Sequence, residues 1–180
     1  MLAIVMCGGR GSRMGFVEKP LIAMGGKRLI EGVIEELELA GLEVIFVTSP
    51  FTPETDEFLR REGREVFRAE GRGYMEDLYE TMHQYRIVEP VLNVNSDLHF
   101  RERGVLLEFL RAYLSSSSPA MSAVFPDGRR VGINAFDPVL GEQREEKFII
   151  EEGRVVNVDT PEDLERLGYG RVLGEKKENG

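Results

Sequence analysis

Leu2-Ala3-Ile4-Val5-Met6-Cys7-Gly8-Gly9-Arg10-Gly11-Ser12-Arg13-Met14-Gly15 opens the chain, and after three more residues comes Lys19-Pro20-Leu21. A short apolar run passes directly into a glycine-dense, basic loop. Glycine lets a backbone turn sharply and approach a bulky anion. Successive N–H groups in such a loop form an anion-binding hollow, and Arg13 and Lys19 add full positive charges. This is chemistry for a triphosphate. Cys7, Gly8, Gly9, Gly11, Ser12, Arg13 and Lys19 are therefore the first candidate nucleotide-binding residues.

Two familiar phosphate loops do not fit. A Walker loop requires G-x-x-x-x-G-K-[ST], whereas here three residues separate Gly15 from Lys19 and Pro20 occupies the hydroxyl position. A dinucleotide fingerprint requires G-x-G-x-x-G and an acid at the end of the second strand. Met14 stands where its last glycine belongs, and the second predicted strand, Glu43 to Val47, runs into Thr48-Ser49-Pro50 without a carboxylate.

The 180 residues suit one domain over 1–174, with a charged tail at 175–180 expected to fray. Against 23 basic residues stand 32 acidic ones, a net charge of −9. Such a surface repels nucleic acid and anionic membranes. Residues 7–28 run the other way, with Arg10, Arg13, Lys19, Lys27 and Arg28 facing only Glu18. A basic island on an acidic protein points to a small anionic ligand. The single cysteine excludes an internal disulfide and fits a reducing compartment. Cys7 reads as a small residue at a tight strand end rather than a reactive thiol. No apolar stretch is long enough to span a bilayer, the chain enters its first strand without a secretory signal, and a cytoplasmic location is expected. A homodimer is left open.

Strand and helix patterns alternate. Leu2–Met6 reads as a buried strand. A helix carries Leu29, Ile30, Val33, Ile34, Leu37 and Ala40, stopping at Gly41. After the strand at Glu43–Val47, Thr52 is the expected N-cap of a helix beginning at Pro53 and ending near Gly63. Val66-Phe67 is a third strand. The tight Gly71-Arg72-Gly73 loop leads into a helix with Tyr74, Leu78, Met82 and Tyr85 on one face. Val91–Val94 is a fourth strand, and a helix from Val105 to Leu114 follows. Ser122–Phe125 resumes strand character before an Asp127-Gly128 turn. Phe148–Ile150 and Val155–Val158, flanking Glu151–Arg154, are expected to form a hairpin. A last helix starts at Thr160-Pro161. The expected fold is α/β, with a mainly parallel central sheet, helices on both faces and a β-rich C-terminal third. Such sheets bind ligands at the carboxyl ends of their strands, which places the first loop, the Gly71–Gly73 loop and Asp97 on one edge.

A carboxylate closing a buried strand, as Asp97 does, is costly without a partner. Mg²⁺ is a fitting one, since it takes one or two carboxylates plus phosphate oxygens and water. The second candidate ligand is Asp159, just before the predicted cap Thr160; Asn157 replaces it if the strand register slips by two, and a helix-capping role for Asp159 stays open. His99, close to Asp97 in sequence, is a candidate substrate contact.

The run G-G-x-G-[ST]-R-M-G, three residues, K-P-L resembles the signature loop of nucleotidyltransferases with the molybdenum-cofactor-guanylyltransferase type of Rossmann-like fold. Further segments are similar to the archaeal-type GTP:adenosylcobinamide-phosphate guanylyltransferase family: Thr48-Ser49-Pro50-x-Thr52-Pro53-x-Thr55, Gly71-x-Gly73-Tyr74-x-Glu76-Asp77-Leu78, Ser96-Asp97-Leu98 and Gly132-Ile133-Asn134. The resemblance implies a Rossmann-like nucleotidyltransferase fold that binds GTP. It implies transfer of GMP to adenosylcobinamide phosphate with release of pyrophosphate. It places Gly8 in the GTP loop, the stretches Thr48 to Thr52 and Gly71 to Tyr74 around the guanine, with Thr48, Ser49, Gly71, Gly73 and Tyr74 as the candidates, and Gly132 and Asn134 in a substrate loop; a simple bulge in a strand at Gly132 stays open. Arg13, Lys19 and Asp97 become the catalytic candidates. Family members carry asparagine where this chain has Asp159, while related families carry aspartate. The rival readings are a molybdopterin guanylyltransferase, a sugar-phosphate nucleotidyltransferase and a non-catalytic nucleotide-binding protein.

Overall fold

The computed structural model describes residues 1–141 and 143–169. The expected tail at 175–180 lies outside them. In chain order the elements are β1 (Leu2–Met6), β2 (Ala23–Met24), β3 (Lys27–Arg28), α1 (Leu29–Leu39), β4 (Glu43–Thr48), α2 (Pro53–Arg61), β5 (Glu65–Arg68) and α3 (Tyr74–Gln84). Then come β6 (Val91–Asn95), β7 (Leu98–Phe100), α4 (Val105–Ser115), β8 (Ala120–Val124), β9 (Arg130–Phe136), β10 (Glu145–Ile149), β11 (Val155–Asn157) and α5 (Pro161–Arg166). Among the described residues no helix is long and apolar enough to cross a membrane.

Seven strands form one sheet in the order β10-β8-β9-β6-β1-β4-β5. β9 runs antiparallel between β6 and β8, and every other neighbouring pair is parallel. β1 is central because Ala3, Ile4 and Val5 are apolar on both faces and fully buried, as a parallel strand covered on both sides requires. The side chains of Ala3, Val5, Leu92 and Ile133 face α1, α2 and α4. Those of Ile4, Met6, Ile45 and Val47 face Leu78 and Met82 of α3. The helices thus cover both faces, but unequally. α3 lies over β1 and β4, and the face of β6, β9 and β8 beside it stays open.

Register decides where the functional loops meet. Met6 is level with Val47 on one side and Asn95 on the other, so β1, β4 and β6 end together. The ends are stitched: the Cys7 amide donates to Val47 O at 2.7 Å, the Ser96 hydroxyl to Met6 O at 2.8 Å and the Ser49 hydroxyl to Gly8 O at 2.8 Å.

Three local expectations are corrected. Thr52 does precede α2, but its hydroxyl is engaged with Ser49. The first amides of α2 are taken by Glu18 from the glycine loop, which accepts from Glu54 N at 2.9 Å and Thr55 N at 2.7 Å. The predicted hairpin near Gly153 does not form. β10 pairs with β8, with Phe148 edge-on to Phe109 at 5.6 Å, while β11 pairs with β7. Phe148 of β10 and Val155 of β11 both pack into the main core from these positions. Gly132 and Asn134, which the resemblance places in a loop, lie within β9, so of the two readings of Gly132 the strand bulge holds. A β-bulge around Gly132 disguises that strand: its φ is +98° and a Cβ there would sit 2.6 Å from Asn95 Nδ2.

Glu36 of α1 plays for α4 the part Glu18 plays for α2. It is buried and accepts from Gly104 N at 2.7 Å and Leu106 N at 3.1 Å. Glu36→Ala leaves two buried amides unpaired and should lower the unfolding free energy by about 2–3 kcal/mol. Glu18→Ala, at a wetter cap, should lower it by about 1 kcal/mol. Urea denaturation of both variants checks the order.

Candidate functional site

The loop after β1 curls back on itself because Gly11 adopts φ +59°, with room for no Cβ: one would lie 2.1 Å from Val17 O. Met14 N and Phe16 N both donate to Gly11 O at 2.9 Å, closing the turn. Met14 then anchors it in a small core with Ile22, Leu29, Val158 and Leu164. The result is a concave backbone from Gly8 to Arg13 along one wall of a cavity of about 440 Å³. Gly71, Gly73, Tyr74, Ser96 and Asp97 also line this cavity.

Lys19 joins three distant segments. Its Nζ donates to Asp97 Oδ2 at 3.0 Å and to Asp159 Oδ1 at 2.6 Å. Asp159 reaches it because β11 pairs antiparallel with β7, with Asn157 opposite Leu98, and Val158 N donates to Asp97 O at 2.9 Å. Asp163, in the first turn of α5, accepts from the amides of Asp159 and Thr160 and so fixes the approach. Arg13 stands at the rim, 3.7 Å from Asp159. Burial disfavours charge on Lys19, but the two carboxylates more than offset it and hold its pKa above the ordinary lysine value. Burial raises the Asp97 carboxyl, against the pull of Lys19. The other oxygen of Asp97, Oδ1, is buried without a partner.

Among the described residues no group of three or more His, Cys, Asp or Glu side chains is placed to hold a metal. Asp97 and Asp159 form a two-carboxylate set instead, which suits a cation that shares its ligands with phosphate. Asn157, the alternative, lines a different cavity.

Other sequence candidates separate. Cys7 lines the cavity through its backbone, but its thiol is buried, donates to Val5 O and is pushed up to about 12 by burial. It is no nucleophile. Thr48 and Ser49, expected near the base, are fully buried and line neither of the two neighbouring cavities. Phe51 takes their place on the wall, with the Arg10 guanidinium 4.2 Å above its ring. Phe51 lies inside the Thr48–Thr52 stretch that the resemblance places around the guanine, but nothing local singles out the aromatic itself. His99 lines a separate small cavity with Lys27 and Arg103. Asp77 organises the Gly71 loop by accepting from the amides of Gly71 and Arg72 at 3.1 Å each.

A second cavity, of about 560 Å³, lies over the open face of β6, β9 and β8. Asn134 and Gly132 line it, and Tyr74 and Asn95 line both cavities. The Tyr74 hydroxyl lies against Asn93 Oδ1 and 2.9 Å from Asn95 Oδ1. Among the described residues four buried side-chain polar atoms lack a partner; three of them, on Asn93, Asp97 and Asn157, belong to these two cavities. Buried polar atoms are seldom left unpaired, and here they gather at the carboxyl-end edge and the adjoining face of the sheet.

Thr48 is tied into the frame through Asp56, which accepts from its hydroxyl at 2.6 Å and from Arg60 Nε at 2.7 Å. Burial alone would raise the Asp56 carboxyl, but Arg60 and Thr48 hold it below the usual range. A depressed carboxylate stabilises the fold above its unfolded pKa, and that contribution is lost as pH falls through the folded value. Asp56→Asn should therefore cost about 1–2 kcal/mol at pH 7, with the difference from wild type shrinking as pH falls from the ordinary carboxylate range through the depressed folded value. Thermal unfolding across pH checks this.

A family model described as the MobA-like NTP transferase domain matches residues 3–162. A curated protein of Methanocaldococcus jannaschii named adenosylcobinamide-phosphate guanylyltransferase is 33% identical over 91% of this chain and 94% of its own length. Among solved structures, a putative glucose-1-phosphate thymidylyltransferase from Bacillus anthracis aligns with a TM-score of 0.73 at 14% identity over 98% of each chain. The inositol-1-phosphate CTP transferase of T. maritima aligns at 0.69 and 16% identity, over 97% of this chain and 96% of that one. These structures share the fold. The match to the family model over nearly the whole described chain places this protein in the MobA-like NTP transferase domain family, as a nucleotidyltransferase.

Proposed function

We propose that the protein transfers GMP from GTP to adenosylcobinamide phosphate, releasing pyrophosphate. The observation that carries this reading is Lys19 Nζ held between Asp97 and Asp159 beside the glycine cradle, with Asp97 Oδ1 unpartnered. The identity of the acceptor draws on the Methanocaldococcus relative's name and on the segments around Gly71, Asp97 and Gly132.

The backbone from Gly8 to Ser12 receives the β- and γ-phosphates, as a run of N–H groups does for anions. Arg13 and Lys19 offset the triphosphate charge. Asp97 and Asp159 are the residues that would hold Mg²⁺. Their two carboxylates and the spare oxygen of Asp97 fit an ion that completes its shell with phosphate and water. When bound it neutralises charge on the phosphates and the departing pyrophosphate. An acceptor phosphate oxygen forms the new bond to the α-phosphorus. The bond from that phosphorus to the bridging oxygen breaks, and pyrophosphate leaves with the electron pair. The acceptor arrives ionised, so no strong general base is required, in keeping with a nucleotide cavity lined by no histidine. Rate then comes from positioning and fixed charge.

The second reading, a sugar-phosphate acceptor, is favoured only by the polar residues of the second cavity. Pyrophosphate release measured with each NTP, with and without adenosylcobinamide phosphate, separates the two. Release requiring both GTP and the corrinoid is expected; release with a sugar phosphate instead overturns the assignment. Asp97→Asn should cut the rate about a hundredfold or more. Its unfolding temperature should fall only slightly, because the asparagine amide oxygen still accepts from Lys19 Nζ where Asp97 Oδ2 did and Asp159 keeps the counter-charge. A large drop in unfolding temperature would make Asp97 a structural residue.

A further inference from the structure

We propose that the open face of β6, β9 and β8, together with the neighbouring edge of α3, is the seat of the corrinoid; this rests on the acceptor named above. Asn93 pairs in register with Asn134, and Asn134 with Ser122. Three polar side chains thus form one row across three adjacent strands, where a covered sheet would carry apolar ones. Asn93 is 2% exposed, yet its Nδ2 donates to nothing. Asn157 Oδ1, in the same cavity, accepts from nothing. The cavity therefore offers one unused donor and one unused acceptor, both buried. Leaving such groups unpaired is costly, and a ligand edge that presents an acceptor to one and a donor to the other satisfies both.

A corrinoid suits this surface. Its macrocycle is flat and largely apolar, and its rim carries carboxamides, each both donor and acceptor. The rim is apolar along α3, while its far side carries the Arg130–Glu145 ion pair. α3 presents Met75 and Tyr79, four residues apart and so on one side of the helix, 48% and 60% exposed. A sugar would engage the polar row but leave this rim unused, which is why the surface favours the corrinoid. At about 560 Å³ the cavity takes one amide-bearing edge of the ligand, and the ring lies on Met75 and Tyr79. Tyr74 and Asn95 line both cavities, so a phosphate arm passing them reaches the α-phosphate of the nucleotide.

The test is steady-state pyrophosphate release by the full chain, with KM measured separately for GTP and adenosylcobinamide phosphate. Met75→Ser combined with Tyr79→Ser removes the exposed rim without opening the core; Asn134→Ala breaks the polar row. Each should raise the corrinoid KM about tenfold, leave the GTP KM unchanged, and let the rim variant reach the wild-type rate at saturating corrinoid. If the wild type requires the corrinoid but neither variant shifts its KM, the seat is wrong and the acceptor assignment stands. If the variants raise the GTP KM equally, the face is part of the nucleotide site and the proposal falls. If the wild type shows no corrinoid-dependent release, both readings fall together.

Discussion

One ammonium group holds the site together. Lys19 Nζ lies between the carboxylates of Asp97 and Asp159, with only 15% of its side chain exposed. The three residues come from the first loop, the end of β6 and the junction of β11 with α5. Without Lys19, two carboxylates would face each other in a partly dry pocket; without them, a buried ammonium would stand alone. Each charge is tolerable only because the other segments are in place, so the pocket's electrostatics and the closure of the fold are one constraint. The same arrangement keeps positive charge beside the glycine cradle and one oxygen of Asp97 unspent.

The glycine loop is held by more than its glycines. Glu18, from the same loop, grips the first amides of α2, and Ser49 grips Gly8 O. The loop therefore cannot shift without uncapping a helix and freeing a strand end. Glu36 does comparable work for α4. Both caps act across long sequence separations. They replace the local side-chain caps that α2 and α4 lack, and they couple the rigid sheet edge to the backbone that meets the phosphates. Preorganisation of this kind is what a reaction driven by positioning and charge requires.

The uneven cover of the sheet has an equally direct origin. α3 packs Leu78 and Met82 onto β1 and β4, and the strands beyond it carry Asn93, Asn134 and Ser122 on that face. Apolar residues there would have called for another helix. Polar ones leave an open shelf that adjoins the nucleotide cavity at Tyr74 and Asn95.

Local chemistry by itself determined a good deal. The apolar run Leu2–Met6, the order of glycines and cations through Lys19, and the strand-ending Asp97 named a buried strand, the anion cradle and one end of the site, because each rests on a few adjacent residues and a fixed backbone requirement. Gly11 is legible in this way, since its positive φ is a property of one turn. Only tertiary structure decided the rest. Thr48 and Ser49 sit in the right segment but are spent on Asp56 and Gly8, while Phe51 faces the cavity. β10 and β11, neighbours in sequence, part to pair with β8 and β7, and that separation brings Asp159 to Lys19. Helix caps, strand partners and ion pairs between distant segments depend on which buried surfaces meet when the chain closes. No local pattern of residues encodes that choice.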